Sequence, residues 1–156
     1  MIIQVDSREH AHAIKKILSE FDRQKIKWFI SKLPVGDYAN LDNPKVVIDR
    51  KQNLSELCNN VCQGHKRFRE ELKRANEYGI KLIILCEHGG KIKSLTDVMK
   101  WENPRLKESP LAVSGERLYR ILSAMSGKYN VEILFCDKRV TGKKIIEILS
   151  EGSRQK

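Results

Sequence analysis

The sequence predicts a three-layer α/β domain with a central mixed sheet and helices on both of its faces. Three observations carry that prediction. Short apolar runs such as residues 80–86 and 131–136 alternate with stretches whose apolar side chains return every three or four positions, the marks of buried strands and amphipathic helices. Three extended stretches crowd between residues 26 and 51, separated by turn residues rather than helical stripes, so part of the sheet is antiparallel. At 156 residues the chain is long enough to bury a core without disulfide or metal staples.

Ile2-Ile3-Gln4-Val5 opens as a short strand. Ser7 then stands where an N-cap belongs, ahead of Ile14, Ile17, Leu18 and Phe21 at helical spacing. Residues 26–33, 37–41 and 45–51 read as a meander, parted by Pro34-Val35-Gly36 and Asp42-Asn43-Pro44. Leu54, Leu57, Cys58 and Val61 mark one helix face, which Gly64 breaks. Phe68, Leu72 and Ala75 mark the next, which Gly79 ends before the strand at 80–86. Residues 89–114 are poorly periodic and punctuated by Gly89-Gly90, Pro104 and Pro110, so a long connection is expected, with one helix over 94–101. Leu118, Ile121, Leu122 and Met125 form a core stripe, 131–136 a strand, and Ile145, Ile148 and Leu149 a last helix begun by Thr141. One domain over 1–150 and a polar tail over 151–156 complete the organisation.

Thirty Lys and Arg against twenty Asp and Glu leave a net charge of +10, a balance that attracts polyanions. Charge by itself does not separate DNA, RNA and anionic membrane. No apolar run approaches the ~18 residues a bilayer span needs, and the N-terminus lacks a basic-then-apolar leader pattern. The expectation is a cytoplasmic protein with no membrane partner. Cys58, Cys62, Cys86 and Cys136 lie in apolar contexts without the short spacing of zinc clusters, and read as reduced core thiols. Gly89-Gly90-Lys91 lacks the second glycine and the Lys-Ser/Thr ending of a phosphate-binding loop, which argues against nucleotide hydrolysis.

The chemistry concentrates upstream. Asp37, in Gly36-Asp37-Tyr38, is followed twelve positions later by Asp49-Arg50-Lys51. Side chains alternate faces along a strand, so Asp49 and Lys51 share one face and Arg50 takes the other. The β-branched run Val46-Val47-Ile48 delivers these charges at the end of a buried strand. Two carboxylates suit a hard divalent cation, Mg²⁺ or Mn²⁺, which keeps sites for water and a phosphate oxygen, while a lysine adds positive charge beside the phosphate. Neither piece is specific alone: an acid-x-Lys triplet arises by chance in a chain with 32% charged residues, and Gly-Asp is common turn chemistry.

Three motifs occur in order: Val5-Asp6-Ser7-Arg8-Glu9, Leu33-Pro34-Val35-Gly36-Asp37-Tyr38 and Ile48-Asp49-Arg50-Lys51. Together they resemble the nuclease domain of the XPF and Hef structure-specific endonucleases, whose signature is V-D-x-R-E, V-G-D-Y and E-R-K followed by an aspartate. The resemblance covers residues 1–86. Two departures stand out. Asp49 replaces the family's glutamate, and the acid expected four residues after the lysine falls at Ser55, with Glu56 one place later as a candidate replacement.

The resemblance implies a restriction-endonuclease-like fold and a metal-dependent DNA endonuclease of branched or flapped substrates, leaving a 5′-phosphate and a 3′-hydroxyl, with a place in DNA repair. Asp37 and Asp49 would hold the metal with the Arg50 carbonyl, and Lys51 would orient or activate the water. Asp6 and Glu9 would line the same cleft, Asp6 reaching the metal through water; Asp6 and Ser7 equally suit a helix cap. Arg8 and Arg50 would bind the phosphodiester backbone or neutralise the acids. Lys66, Arg67, Arg69, Lys73 and Arg74 offer a DNA track on one helix, although such faces are usually solvated, and Arg67 with Glu71 and Glu70 with Arg74 are ordinary i,i+4 pairs. Only twenty residues follow Cys136, so the junction-reading modules of larger relatives are not expected. A stand-alone bacterial or phage-like form implies a homodimer or a protein partner for selectivity. An inactive DNA-binding scaffold and an RNA-directed hydrolase are the competing readings.

Overall fold

The computed structural model describes residues 1–154. Six strands form one sheet: β1 (Ile2–Val5), β2 (Lys27–Ile30), β3 (Tyr38–Asn40), β4 (Asn43–Lys51), β5 (Lys81–Cys86) and β6 (Val131–Phe135), in the order β2-β1-β3-β4-β5-β6. β3 runs antiparallel to both β1 and β4, whereas β1 with β2, and β4 with β5 and β6, are parallel pairs. The helices are α1 (Lys15–Arg23), α2 (Leu54–Cys62), α3 (His65–Glu77), α4 (Gly115–Lys128) and α5 (Thr141–Arg154). None of the described helices is long and apolar enough to cross a membrane.

Alternation along the central strands builds two cores. Val47, Leu82, Ile84 and Cys86 face α2, α3 and α4, where Leu54, Leu57, Phe68, Leu72, Leu118 and Leu122 pack. Ile48, Ile83 and Leu85 face α1 and α5 across Ile17, Phe21, Ile145 and Leu149. This is the three-layer mixed sheet that the sequence predicts. The four cysteines are free, and burial pushes the Cys58 and Cys86 thiols above their ordinary range.

Four local expectations are corrected. Residues 26–51 do not form a meander, because β1 lies between β2 and β3 and only β3 and β4 make a hairpin. Pro34-Val35-Gly36 therefore carries the chain past β1, and turn chemistry cannot reveal which strand becomes the neighbour. Ser7 caps no helix: turns fill the stretch before Lys15, and Ile14 holds the cap position without a side-chain bond. The expected helix at 94–101 is a 3₁₀ helix, Leu95–Lys100, opened by a Ser94/Asp97 capping box and followed by a second, Pro104–Lys107. Finally, α5 continues to Arg154, into the expected tail; residues 155 and 156 lie outside the described residues.

The connection before α4 has a packing role. A Cβ at Gly115 would lie 2.5 Å from the Trp101 carbonyl oxygen and 2.6 Å from that of Val98, so the first turn of α4 sits directly on the 3₁₀ segment. Gly115→Ala is expected to cost about 1–3 kcal/mol through overpacking despite alanine's better helix propensity. Urea denaturation checks this, and a stabilised variant would contradict the packing.

Candidate active site

The end of β4 sorts its charges as the period of two requires. Asp49 lines a cleft of about 400 Å³, together with Asp6, Arg8, Gly36, Asp37, Arg67, Glu71 and Arg74. Lys51 lines the adjoining cavity with Phe68, and both Arg67 and Glu71 border the two spaces. Arg50 points the other way, into a buried network with Glu9 and Glu87.

Asp37 is fixed by backbone geometry. Gly36 has φ +74°, and a Cβ there would stand 2.4 Å from Val47 Cγ1, so glycine is required both for the conformation and for the approach to β4. The Asp37 amide donates to the Ile48 carbonyl at 2.7 Å, and the Asp37 carbonyl accepts from the Asp6 amide at 2.8 Å. One carboxylate oxygen, Oδ2, accepts from the Arg50 amide at 2.7 Å. Burial, followed by the charges of Asp49 and Glu9, holds the Asp37 carboxyl well above the usual carboxylate range.

Asp49 is 5% exposed, and its Oδ2 has no hydrogen-bond partner. Its ion pair with Lys51 is long, 3.4 Å. Burial works to lower the Lys51 pKa, but Asp49 and Asp37 outweigh it and the ammonium is held above its ordinary value. The same ammonium sits 5.5 Å from the centre of the Phe68 ring. Among the described residues, no three His, Cys, Asp or Glu groups are arranged to hold an ion. The side-chain share of a metal site would thus be the two aspartates, with a backbone carbonyl, water and phosphate as the other ligands.

The remaining predicted residues separate. Asp6 lines the cleft, yet its oxygens are engaged: Oδ1 accepts from the Leu33 amide at 2.8 Å and Oδ2 from Arg8 Nε at 2.7 Å. It holds a loop rather than a helix cap. Glu9 forks onto the Arg50 guanidinium at 2.8 and 3.0 Å, on the face turned away from Asp49. Glu56 is committed to the start of α2, accepting from the Gln52 amide at 2.8 Å while its own amide donates to Asn53. Its carboxylate touches the site only through its charge on Lys51. Arg67 and Arg74 rim the acidic cleft, whereas Arg69 faces a groove between α3 and α4, and Lys66 and Lys73 are simply exposed.

Two acids escaped the sequence reading. The spacing predicts Glu71 paired with Arg67 on a solvated face, but among the described residues neither that pair nor Glu70 with Arg74 forms an ion pair; Arg74 instead donates to the Pro34 carbonyl at 3.2 Å. Glu71 turns into the cleft, accepts a long 3.4 Å bond from the Gly36 amide, and is pushed up by burial and by Asp49. Its spacing, three residues after Phe68 and four before Ala75, was the available signal. Glu87 follows β5 as Asp49 follows the apolar run of β4, and the same reading of a charge at a strand end would have found it.

The ERCC4 domain family model matches residues 5–149. No curated protein matches the chain. Among solved structures, XPF from Aeropyrum pernix superposes with a TM-score of 0.69 at 21% identity, over 99% of this chain and 66% of that one. The same protein in complex with DNA gives 0.67 at 19%, with the same coverage. The chain thus spans about two thirds of the length of those structures, and at such identities the likeness is one of fold, the restriction-endonuclease-like arrangement. With nearly the whole chain matched and the motif residues gathered at one end of the sheet, this protein belongs to the ERCC4 domain family.

Proposed function

We propose that this protein is a divalent-metal-dependent DNA endonuclease that hydrolyses phosphodiester bonds at branched or flapped DNA. One observation carries the reading most: a buried Asp49 oxygen with no hydrogen bond and only a long 3.4 Å ion pair to Lys51, beside a second, half-buried aspartate, in a cleft rimmed by arginines. Two carboxylates in mutual repulsion are costly unless a cation joins them. The cleft offers oxygen donors and no thiol or imidazole, which suits Mg²⁺ or Mn²⁺.

Asp37 and Asp49 would hold the ion, with the Arg50 carbonyl as a further donor. Bound there, the ion supplies charge stabilisation to the attacked phosphate and an acidified water. Lys51 orients that water and offsets the charge gathering on the phosphoryl oxygens. Arg8, Arg67 and Arg74 hold the flanking phosphates at the rim, which fixes register without reading sequence. In-line hydrolysis leaves a 5′-phosphate and a 3′-hydroxyl. Aeropyrum pernix XPF, a protein of the same fold, has been seen with DNA, which supports DNA over RNA. Selectivity for a junction would come from a homodimer or a protein partner.

The test titrates Mn²⁺ against the purified chain by electron paramagnetic resonance, and in parallel assays flap, fork, duplex and single-stranded RNA substrates with and without metal. Expected are Mn²⁺ binding, cleavage of flap or fork only with metal, and no cleavage after chelation. Cleavage of RNA alone would favour the RNA hydrolase, and DNA binding without metal binding or cutting would leave a scaffold.

A further inference from the structure

We propose that Glu87 and Thr141 are positioning residues for the cleavage reaction, acting through Arg50 on the carboxylate of Asp37; the role rests on the cleft being a nuclease site. The Arg50 peptide has two duties. Its amide holds Asp37 Oδ2 at 2.7 Å, and it joins Asp49 to Lys51, so any rotation of that peptide displaces all three groups in the cleft.

β4 pairs with β5 at this point, and what else limits the rotation lies on the opposite face of the sheet. Glu9 takes one edge of the Arg50 guanidinium as a fork, and Glu87 takes Nη1. Glu87 also grips the backbone, since its amide donates to the Lys51 carbonyl at 2.7 Å. Arg50 and Lys51 are thus clamped by one residue, by side chain at the first and by main chain at the second.

The clamp has an anchor. Glu87 Oε2 accepts from the Thr141 hydroxyl at 2.6 Å, and Thr141, 1% exposed, is the first residue of α5. The hydroxyl has a single proton and three groups within reach, the Glu87 carboxylate, the Lys138 carbonyl at 3.3 Å and Cys136 Sγ at 3.6 Å. The shorter, charge-assisted bond takes it. Two buried carboxylates face one guanidinium here, so the second needs another donor, and the start of α5 adds the favourable end of a helix dipole. α5 is thereby tied to the cleft through Thr141, Glu87, Arg50 and Asp37 in series.

The experiment compares native protein with Thr141→Val, Thr141→Ser and Glu87→Gln in the full chain. The Arg50 amide is followed by ¹H–¹⁵N spectroscopy, and cleavage of a flapped DNA is resolved into kcat and KM. In Thr141→Val and Glu87→Gln the Arg50 amide resonance is expected to shift and kcat to fall about tenfold, with KM and DNA affinity within about twofold. Thr141→Ser restores both. Should Thr141→Val not fold, Glu87→Gln and Thr141→Ser decide alone. An unmoved Arg50 amide in a folded Glu87→Gln protein overturns the proposal, as does a loss confined to KM or to melting temperature. If native protein cuts nothing, the nuclease reading fails, while the amide resonance still judges the clamp.

Discussion

Asp37→Asn is expected to cut cleavage by at least about a hundredfold and, in the metal-free protein, to raise the melting temperature. The two effects share a cause. Asparagine keeps the volume and an oxygen for the Arg50 amide, but removes one of the charges that burial, Asp49 and Glu9 make unfavourable. A carboxyl whose folded pKa lies above its unfolded value binds its proton more tightly when folded. Its contribution to stability is therefore greatest below the ordinary value of 3.8 and is lost as pH rises through the raised one. As pH rises above that ordinary value the native apo protein increasingly bears the cost and the variant does not. A gain of about 2–4 °C is expected for each kcal/mol relieved, and the gain should vanish in acid. Turnover falls at least about a hundredfold to a thousandfold, the loss usual when electrostatic stabilisation of a reacting group is removed. Calorimetry at two pH values and a cleavage assay on one preparation check both halves. A less stable Asp37→Asn protein at neutral pH would show that the aspartate is held by attractions, and that the cleft is not short of a cation.

Arg50→Met should be the most damaging single change to the fold. The guanidinium is the shared partner of Glu9 and Glu87, all three side chains nearly inaccessible. Breaking a buried ion pair from one side leaves uncompensated charge and costs about 3–5 kcal/mol. That is a large share of the roughly 5–15 kcal/mol by which domains are stable. Urea denaturation measures it. Adding Glu87→Gln and Glu9→Gln to Arg50→Met should recover part of the loss, because amides do not carry the charge. A cost below about 1 kcal/mol for the single variant would mean that water reaches the network.

The shared face of Asp49 and Lys51 was legible because strand alternation is a local rule: a residue's face follows from its neighbours within one strand; Asp37, in the loop before β3, was legible only through its Gly-Asp-Tyr motif. The same rule sent Arg50 to the opposite side, where it is found. The outer strand order was not legible. Nothing in residues 26–33 says that β2 pairs with β1 on its far side, since pairing is a long-range choice between partners of similar hydrophobicity. Ser7 misled because a short polar residue before an apolar stripe suits either a cap or a turn. Asp6 decides between them through its bond to the distant Leu33 amide. Glu71 was obscured by its company: on a helix crowded with Lys, Arg and Glu, one acid that turns inward looks like its solvated neighbours until the packing of Phe68 and Leu72 sets the helix rotation.

Val47 to Lys51 is an unbroken buried stretch of β4, bonded along its length to β5 and, at Val47 and Ile48, to β3 on the other edge. No hinge interrupts it. Amide protons there should exchange with solvent only through whole-molecule opening, as slowly as any in the protein. The backbone that carries the aspartate and lysine is consequently as rigid as the sheet itself, so a substrate is expected to adapt to the cleft rather than the cleft to it.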